Sequence, residues 1–210
     1  MFTGIVQELA EVVAIEDRDG LRLLHLGLSD ARREGLEGGA SVAVNGTCLT
    51  VARQDVAGVG FDVIRETLEM TNIGTLAVGD RVNVERSATF ADEIGGHRVS
   101  GHVSGVSQIV EREVSENNCR VRLSVPDACA DFVFYKGFVA LDGASLTISG
   151  LDRGAGWLEV SLIPETLART TFGFKDVGAS INIEVDSETV AVVDTVRRVL
   201  ADPEWRQRLA

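Results

Sequence analysis

Few side chains in this 210-residue chain are suited to making and breaking bonds. Cys48 offers a thiol, whose thiolate adds readily to an electrophilic carbon. His102 offers an imidazole, the side chain best placed to carry a proton near neutral pH. Ser145 offers a hydroxyl, Lys136 and Asp142 bring charges, and Phe2 brings an aromatic face. Each also has a plain structural reading. A lone thiol in an apolar strand is usually a small buried hydrophobe. A single histidine is more often a hydrogen-bonded structural residue, and an Asp before Gly often only shapes a turn.

These residues stand out because the chain is written twice. VAVNGTCLTV (Val42 to Val51) returns as VALDGASLTI (Val139 to Ile148), with five of ten positions identical. FDVIRETLEMTNIG (Phe61 to Gly74) returns as VSLIPETLARTTFG (Val160 to Gly173), VGDRVNVE (Val78 to Glu85) as VGASINIE (Val177 to Glu184), and GIVQ (Gly4 to Gln7) as GHVS (Gly101 to Ser104). The offset is 97 residues in the first blocks and 99 in the later ones. A unit of that length is a small domain, not a solenoid repeat. The copies differ where chemistry is available: Cys48 opposite Ser145, Ile5 opposite His102, Asn45 opposite Asp142, Gly39 opposite Lys136, Phe2 opposite Val99. They agree at Thr50 and Thr147, Glu66 and Glu165, and Thr67 and Thr166, polar groups at strand ends that suit a ligand's hydroxyls and amide-like edges. Two similar pockets for two similar ligands is the economical expectation.

The elements that must position these residues are short strands. Runs alternating apolar and polar residues are separated by turn-prone dipeptides such as Asp19-Gly20, Asn45-Gly46 and Gly79-Asp80. That pattern indicates an all-β barrel or sandwich in each copy. We place the first copy at residues 1–88, a junction at 89–96, the second copy at 97–186 and an unduplicated tail at 187–210. GIVQELAEVVAI and HRVSGHVSGVSQIVERE read as the opening strands of the two copies. LSDARREGLEG reads as a short helix capped by Ser29 or Asp30, ETLEMTN as a brief helical turn, and Pro164 as a strand terminator. The tail should be a helix capped by Asp186 or Ser187, with Val192, Val193, Val196, Val199 and Leu200 on one face. Packing within the chain and assembly between chains explain that face equally well.

Composition removes several classes. A net charge of −12 with dispersed acids makes nucleic acid a poor partner. No apolar run is long enough to span a membrane, and MFTGIVQ lacks a signal-peptide core. Three cysteines without metal-ligand spacing suit reduced thiols, so a cytoplasmic location is expected.

The motifs taken together resemble the riboflavin synthase alpha-chain family. They are MFTGIV at Met1 to Val6, NGTCLTV at Asn45 to Val51, FDVIRETL at Phe61 to Leu68, NVERSATFADEIGGH at Asn83 to His97, SGHV at Ser100 to Val103, YKGFVALDGASLT at Tyr135 to Thr147 and IPETL at Ile163 to Leu167. The resemblance implies two tandem six-stranded Greek-key barrels with a C-terminal α-helix, a homotrimer held at that helix, and no cofactor or metal. It implies dismutation of two molecules of 6,7-dimethyl-8-ribityllumazine by four-carbon-unit transfer, giving riboflavin and 5-amino-6-ribitylaminouracil. Association with lumazine synthase is left open. The two substrates would sit between the N-barrel of one subunit and the C-barrel of its neighbour, each barrel borrowing the first strand of the other copy.

By position, the resemblance assigns Cys48, Leu49, Thr50, Asp62, Val63, Ile64, Arg65, Glu66, Thr67, Gly101, His102 and Val103 to the N-barrel pocket. The C-barrel pocket would take Gly4, Ile5, Val6, Lys136, Ser145, Leu146, Thr147, Ser161, Leu162, Ile163, Pro164, Glu165 and Thr166. His102 and Ser145 are expected to handle protons, Cys48 to act as a polar or nucleophilic group, Asp142 and Lys136 to orient the C-barrel side, and Phe2 to pack near the paired rings. The same superfamily includes lumazine- and flavin-binding fluorescent proteins that hold one chromophore without chemistry. A chromophore carrier of that kind is the alternative.

Overall fold

The computed structural model describes residues 1–56, 58–203 and 205. Twelve strands close into two six-stranded antiparallel barrels. The first contains β1 (Glu8–Arg18), β2 (Leu21–Gly27), β3 (Ser41–Val44), β4 (Thr47–Asp55), β5 (Gly58–Ile64) and β6 (Arg81–Arg86), joined in the order β1-β2-β5-β4-β3-β6. The second contains β7 (Gly105–Val114), β8 (Cys119–Ser124), β9 (Phe138–Leu141), β10 (Ala144–Asp152), β11 (Trp157–Leu162) and β12 (Ser180–Val185), joined in the matching order β7-β8-β11-β10-β9-β12. Even the irregularities repeat. A register shift between Val12 and Ala14 in β1 recurs between Ile109 and Glu111 in β7, and one between Val51 and Arg53 in β4 recurs between Ile148 and Gly150 in β10. Such bulges sharpen the local bend that a small closed barrel needs.

Alternation fills each barrel. Val12, Leu24, Leu26, Val42, Val59 and Phe61 form one core, and Ile109, Val121, Leu123, Val139, Leu158 and Phe172 the other. Truncating a buried Phe of this kind costs about 3–5 kcal/mol. The first regular strands start later than the sequence pattern indicates, at Glu8 and Gly105, and each stays in its own barrel. What crosses to the other barrel is the extended segment before each strand. Gly4 and Gly101 there adopt φ of 75° and 83°, which interrupts a ladder before it begins.

The barrels meet at their two repeated turns, around an approximate two-fold axis. Asn45 and Asp142 hold φ of 44° and 45°, and the glycines after them 77° and 79°. A Cβ on Gly46 would lie 2.6 Å from the Gly143 nitrogen, so only glycine allows the approach. Polar groups cross the axis in matched pairs. The Asn72 backbone N–H donates to Asn182 Oδ1 at 2.7 Å, and that of Thr171 to Asn83 Oδ1 at 2.8 Å. Asn83 Nδ2 donates to the Asp142 carbonyl at 2.9 Å, and Asn182 Nδ2 to the Asn45 carbonyl at 2.8 Å.

The described residues also include four α-helices: α1 (Asp30–Arg33), α2 (Arg65–Met70), α3 (Pro164–Arg169) and the longer α4 (Ser187–Ala201). Ser29 precedes α1 but does not cap it with its side chain. Its hydroxyl donates to Glu8 at 2.7 Å, a charge-assisted bond that turns the side chain to β1. Pro164 ends the β11 region and opens α3, where its missing N–H is harmless. Asp186 caps α4, accepting from the Thr189 N–H at 2.9 Å. Val190 packs on the second core and the Arg197 guanidinium lies over Phe132, while Val192 and Val196 are 64% and 50% exposed. The helix therefore docks by one side only. Residues 204 and 206–210 of the expected 187–210 segment lie outside the described residues.

Candidate active site

The two crossing segments meet each other first. Phe2 and Val99 form an isolated antiparallel bridge, with N–H to carbonyl distances of 2.8 and 3.0 Å. Both are buried, and with Ala43, Ala140 and the partly buried Cys48 they make a third apolar cluster between the barrels. Beyond the bridge each segment reaches the other copy. The Ser145 N–H donates to the Gly4 carbonyl at 2.8 Å, and the Cys48 N–H to the Gly101 carbonyl at 2.9 Å. A Cβ on Gly4 would lie 2.5 Å from Ser145 Cβ, and one on Gly101 2.6 Å from Cys48 Cβ. Glycine at both points lets the segment lie directly on the reactive residue.

This geometry sorts the expected residues into two constellations. Cys48 goes with Gly101 and the exposed His102, and Phe2 packs beside that thiol. Ser145 goes with Gly4 and Ile5. His102 and Ser145 do not hydrogen-bond each other; the partner of Ser145 is His97, with Nδ1 to Oγ of 2.6 Å. In the sequence His97 starts the second copy and ends the motif NVERSATFADEIGGH, with no chemical role assigned to it. The signal was present in GGH, since a Cβ on Gly96 would sit 2.6 Å from Ser145 Cβ and 2.3 Å from the Thr3 carbonyl. The junction is thus threaded over the site and delivers an imidazole to it. His97 is buried and stacks on Phe138 with ring centroids 5.2 Å apart. Burial lowers its pKa from 6.5, against the opposing pull of the Asp186 carboxylate. A neutral ring can accept a hydroxyl's proton at whichever nitrogen is unprotonated.

Next to it lies a cleft of about 180 Å³ lined by Gly4, Ile5, Val6, Ser145, Leu146, Glu165 and Thr166, all expected for the C-barrel pocket. Arg169, which the sequence reading did not single out, also lines it and ion-pairs with Glu165. Its counterpart in the first copy is Met70, so this ion pair belongs to one pocket alone.

Several expected residues lie elsewhere. Leu162, Leu49 and Val63 point into the barrel cores, because strand alternation turns them inward, so only their backbones can face a ligand. Ser161, Ile163, Pro164, Thr147 and Lys136 are exposed but do not line the cleft. Lys136 takes φ of 65° where the first copy has Gly39 at 88°, an uncommon conformation for a side chain of this size. On the N-barrel side Thr50, Ile64, Arg65 and Glu66 are exposed, Thr67 and Val103 are half-buried, and Asp62 ion-pairs with Arg53 at 2.6 Å.

Asp142 is the clearest displacement. It is fully buried at the barrel interface and accepts from Lys175 Nζ at 2.6 Å, from Asn72 Nδ2 and the Asn182 N–H at 2.8 Å each, and from Thr171 Oγ1. Its oxygens are fully engaged, so it can orient β9 and β10 but cannot carry a proton to a ligand. Among the cysteines, Cys119 and Cys129 are buried in the second core, and burial pushes the Cys129 thiol up to about 11. Cys48 is the one with a path to solvent.

Comparison with known proteins agrees with this architecture. The lumazine binding domain matches twice, at residues 3–87 and 100–186. The riboflavin synthase of Escherichia coli (strain K12) is 50% identical over 202 residues, covering 96% of this chain and 94% of that protein. The riboflavin synthase of Mycobacterium bovis is 46% identical over 191 residues, covering 89% and 93%. Among solved structures, LumP complexed with riboflavin superposes with a TM-score of 0.82 at 25% identity, covering 89% of this chain and 100% of that one. Two lumazine binding domains in tandem, with near-full-length identity of this order, show that the chain belongs to the riboflavin synthase family.

Proposed function

We propose that the protein is a riboflavin synthase, a transferase that dismutates two molecules of 6,7-dimethyl-8-ribityllumazine into riboflavin and 5-amino-6-ribitylaminouracil. The observation that carries the reading is the pair of equivalent positions in which a crossing glycine lies on Cys48 in one barrel and on Ser145 in the other. Two like ligands need two like pockets, and a dismutation needs them unlike in their chemistry.

The C7 methyl of the lumazine is a carbon acid, because its carbanion delocalises into the ring. On the C-barrel side Ser145 takes or returns that proton, a role its hydrogen bond to His97 supports. On the N-barrel side Cys48 and His102 add to, or hold water against, the electrophilic C7 of the partner molecule, a role supported by the crossing segment that brings Gly101 onto Cys48. Holding two large rings face to face supplies much of the acceleration. Since His102 and Ser145 belong to different constellations within one chain, they act together only if a second copy brings an N-barrel against a C-barrel. The exposed Val192 and Val196 on α4 support such an assembly, and a homotrimer is the arrangement we infer. Three free cysteines fit a cytoplasmic setting.

The test is direct. Purified protein is incubated with 6,7-dimethyl-8-ribityllumazine alone. Riboflavin should appear in half the amount of lumazine consumed. Tight lumazine binding without riboflavin would instead make the protein a chromophore carrier, the reading to which the likeness to LumP would then point.

A further inference from the structure

Two buried carboxylates have no part in the chemistry above. Glu85 on β6 and Glu184 on β12 are 4% and 6% exposed. Each faces the crossing segment of its own copy, and the two sets of bonds are nearly superimposable. Glu85 Oε1 accepts from the Thr3 N–H at 2.6 Å and from Thr3 Oγ1 at 2.7 Å, and its Oε2 accepts from the Gly4 N–H at 3.0 Å. Glu184 Oε1 accepts from the Ser100 N–H and Ser100 Oγ at 2.7 Å each, and its Oε2 from the Gly101 N–H at 3.0 Å. The hydroxyl then passes the constraint on: Thr3 Oγ1 accepts from the Ile5 N–H and Ser100 Oγ from the His102 N–H, both at 3.3 Å.

Among the described residues neither carboxylate forms an ion pair. A buried charge hydrogen-bonded only by neutral donors is a poor choice for stability, and burial raises the pKa of both groups against the weaker pull of the N-terminal ammonium on Glu85 and of His102 on Glu184. The carboxylate does have one property no neutral side chain shares: two oxygens that accept and never donate, so three converging donors are met at once. What those donors hold is the glycine whose carbonyl receives the N–H of Ser145 or Cys48.

We propose that Glu85 and Glu184 are positioning residues for the reaction proposed above, each fixing the crossing segment of its own copy onto the reactive residue of the opposite barrel. The inference rests on that reading. The two arms are unequal. The Glu184 arm holds both Gly101, against Cys48, and the backbone of His102. The Glu85 arm holds Gly4, against Ser145, and the backbone of Ile5, which has no titratable group.

Glu→Gln is the discriminating change. It keeps length and shape, leaves an oxygen for the Thr3 or Ser100 pair, and turns an amide NH₂ on the glycine N–H. Full-length wild type, Glu85→Gln, Glu184→Gln and Ser100→Ala are compared for kcat and KM on 6,7-dimethyl-8-ribityllumazine and for unfolding midpoint. Small displacements of a reacting group reduce rates by about 10²-fold. We expect a loss of that order in kcat for Glu184→Gln, a smaller one for Glu85→Gln, and KM and unfolding midpoint close to wild type in both. Ser100→Ala leaves Glu184 intact and removes only the hydroxyl between it and His102, so it should lower kcat even if Glu184→Gln folds poorly. Wild-type kcat in Glu184→Gln and Ser100→Ala, or a fall that merely tracks lost folded protein, overturns the proposal. A wild type that makes no riboflavin overturns the enzyme reading instead.

Discussion

Each barrel receives the other copy's crossing glycine at nearly the same distance, 2.8 and 2.9 Å, and each turn carbonyl accepts from an asparagine amide of the other copy, yet the two have diverged in ionisable groups. In the N-barrel the axis is neutral: Asn45 Nδ2 donates to Asn72 Oδ1 at 3.2 Å. In the C-barrel the equivalent place holds Asp142 with Lys175, a buried ion pair at 2.6 Å. The N-barrel site presents a thiol and an exposed imidazole, the C-barrel site a hydroxyl backed by a buried, uncharged imidazole. Duplication made the pockets alike; a handful of substitutions at fixed backbone positions made them different.

The comparison can be broken most severely at the axis. Asp142→Ala should destabilise the protein by about 3–5 kcal/mol, since it removes the counter-charge of Lys175 and one hydrogen-bond acceptor from each of Asn72, Thr171 and the Asn182 N–H. Asn45→Ala, the equivalent change, should cost about 1–3 kcal/mol. Urea unfolding of the two variants measures this. Equal losses would show that the ion pair adds nothing to the neutral design.

Next in size is catalysis. Ser145→Ala and His102→Gln should each lower kcat about 10²-fold or more, as loss of a proton carrier does. Wild-type turnover with unchanged lumazine affinity in both variants would remove these residues from the proton path.

A pH profile sharpens the same contrast. His97 has a folded pKa below 6.5, so the neutral ring is the stabilised form. Its contribution to stability is present above 6.5 and is lost as pH falls through the lower folded value. The Ser145 hydroxyl loses its acceptor over the same interval. The kcat/KM should therefore hold as pH drops past 6.5 and fail only below it, and His97→Gln should abolish that limb. A limb centred above 6.5 would contradict the burial of the ring.

The smallest effect concerns Lys136. Replacing it with the first copy's glycine relieves a positive φ that costs about 1–2 kcal/mol, against about 0.4–1 kcal/mol for the freer unfolded chain, so Lys136→Gly should leave stability unchanged or raise it by about 1 kcal/mol. It should raise KM if the ammonium meets a ligand. Unchanged KM together with lower stability would make the residue structural.

Much of this was legible in the sequence. The duplication, the barrel class, the turn at Asn45-Gly46 and the cap at Asp186 follow from local patterns and from aligning the copies, whereas the lining by Gly4 to Val6, Ser145, Leu146, Glu165 and Thr166 follows only from the family resemblance. Strand alternation alone already places Leu49, Val63 and Leu162 inward, and a position-by-position assignment to pockets overlooked it. The copies also suggested that Asp142 was a site residue, because an acid facing an asparagine looks like acquired chemistry.

Side-chain type and spacing determined what each copy could fold into, since periodicity and turn residues act over a few positions. Only the tertiary structure decided which groups meet. Ser145 pairs with a histidine 48 residues away, Asp142 with an asparagine 70 away, and Glu85 and Glu184 with residues 82 and 84 away. No local pattern records such a meeting. It arises because two closed barrels pack about an axis and leave their leading segments on each other's surface.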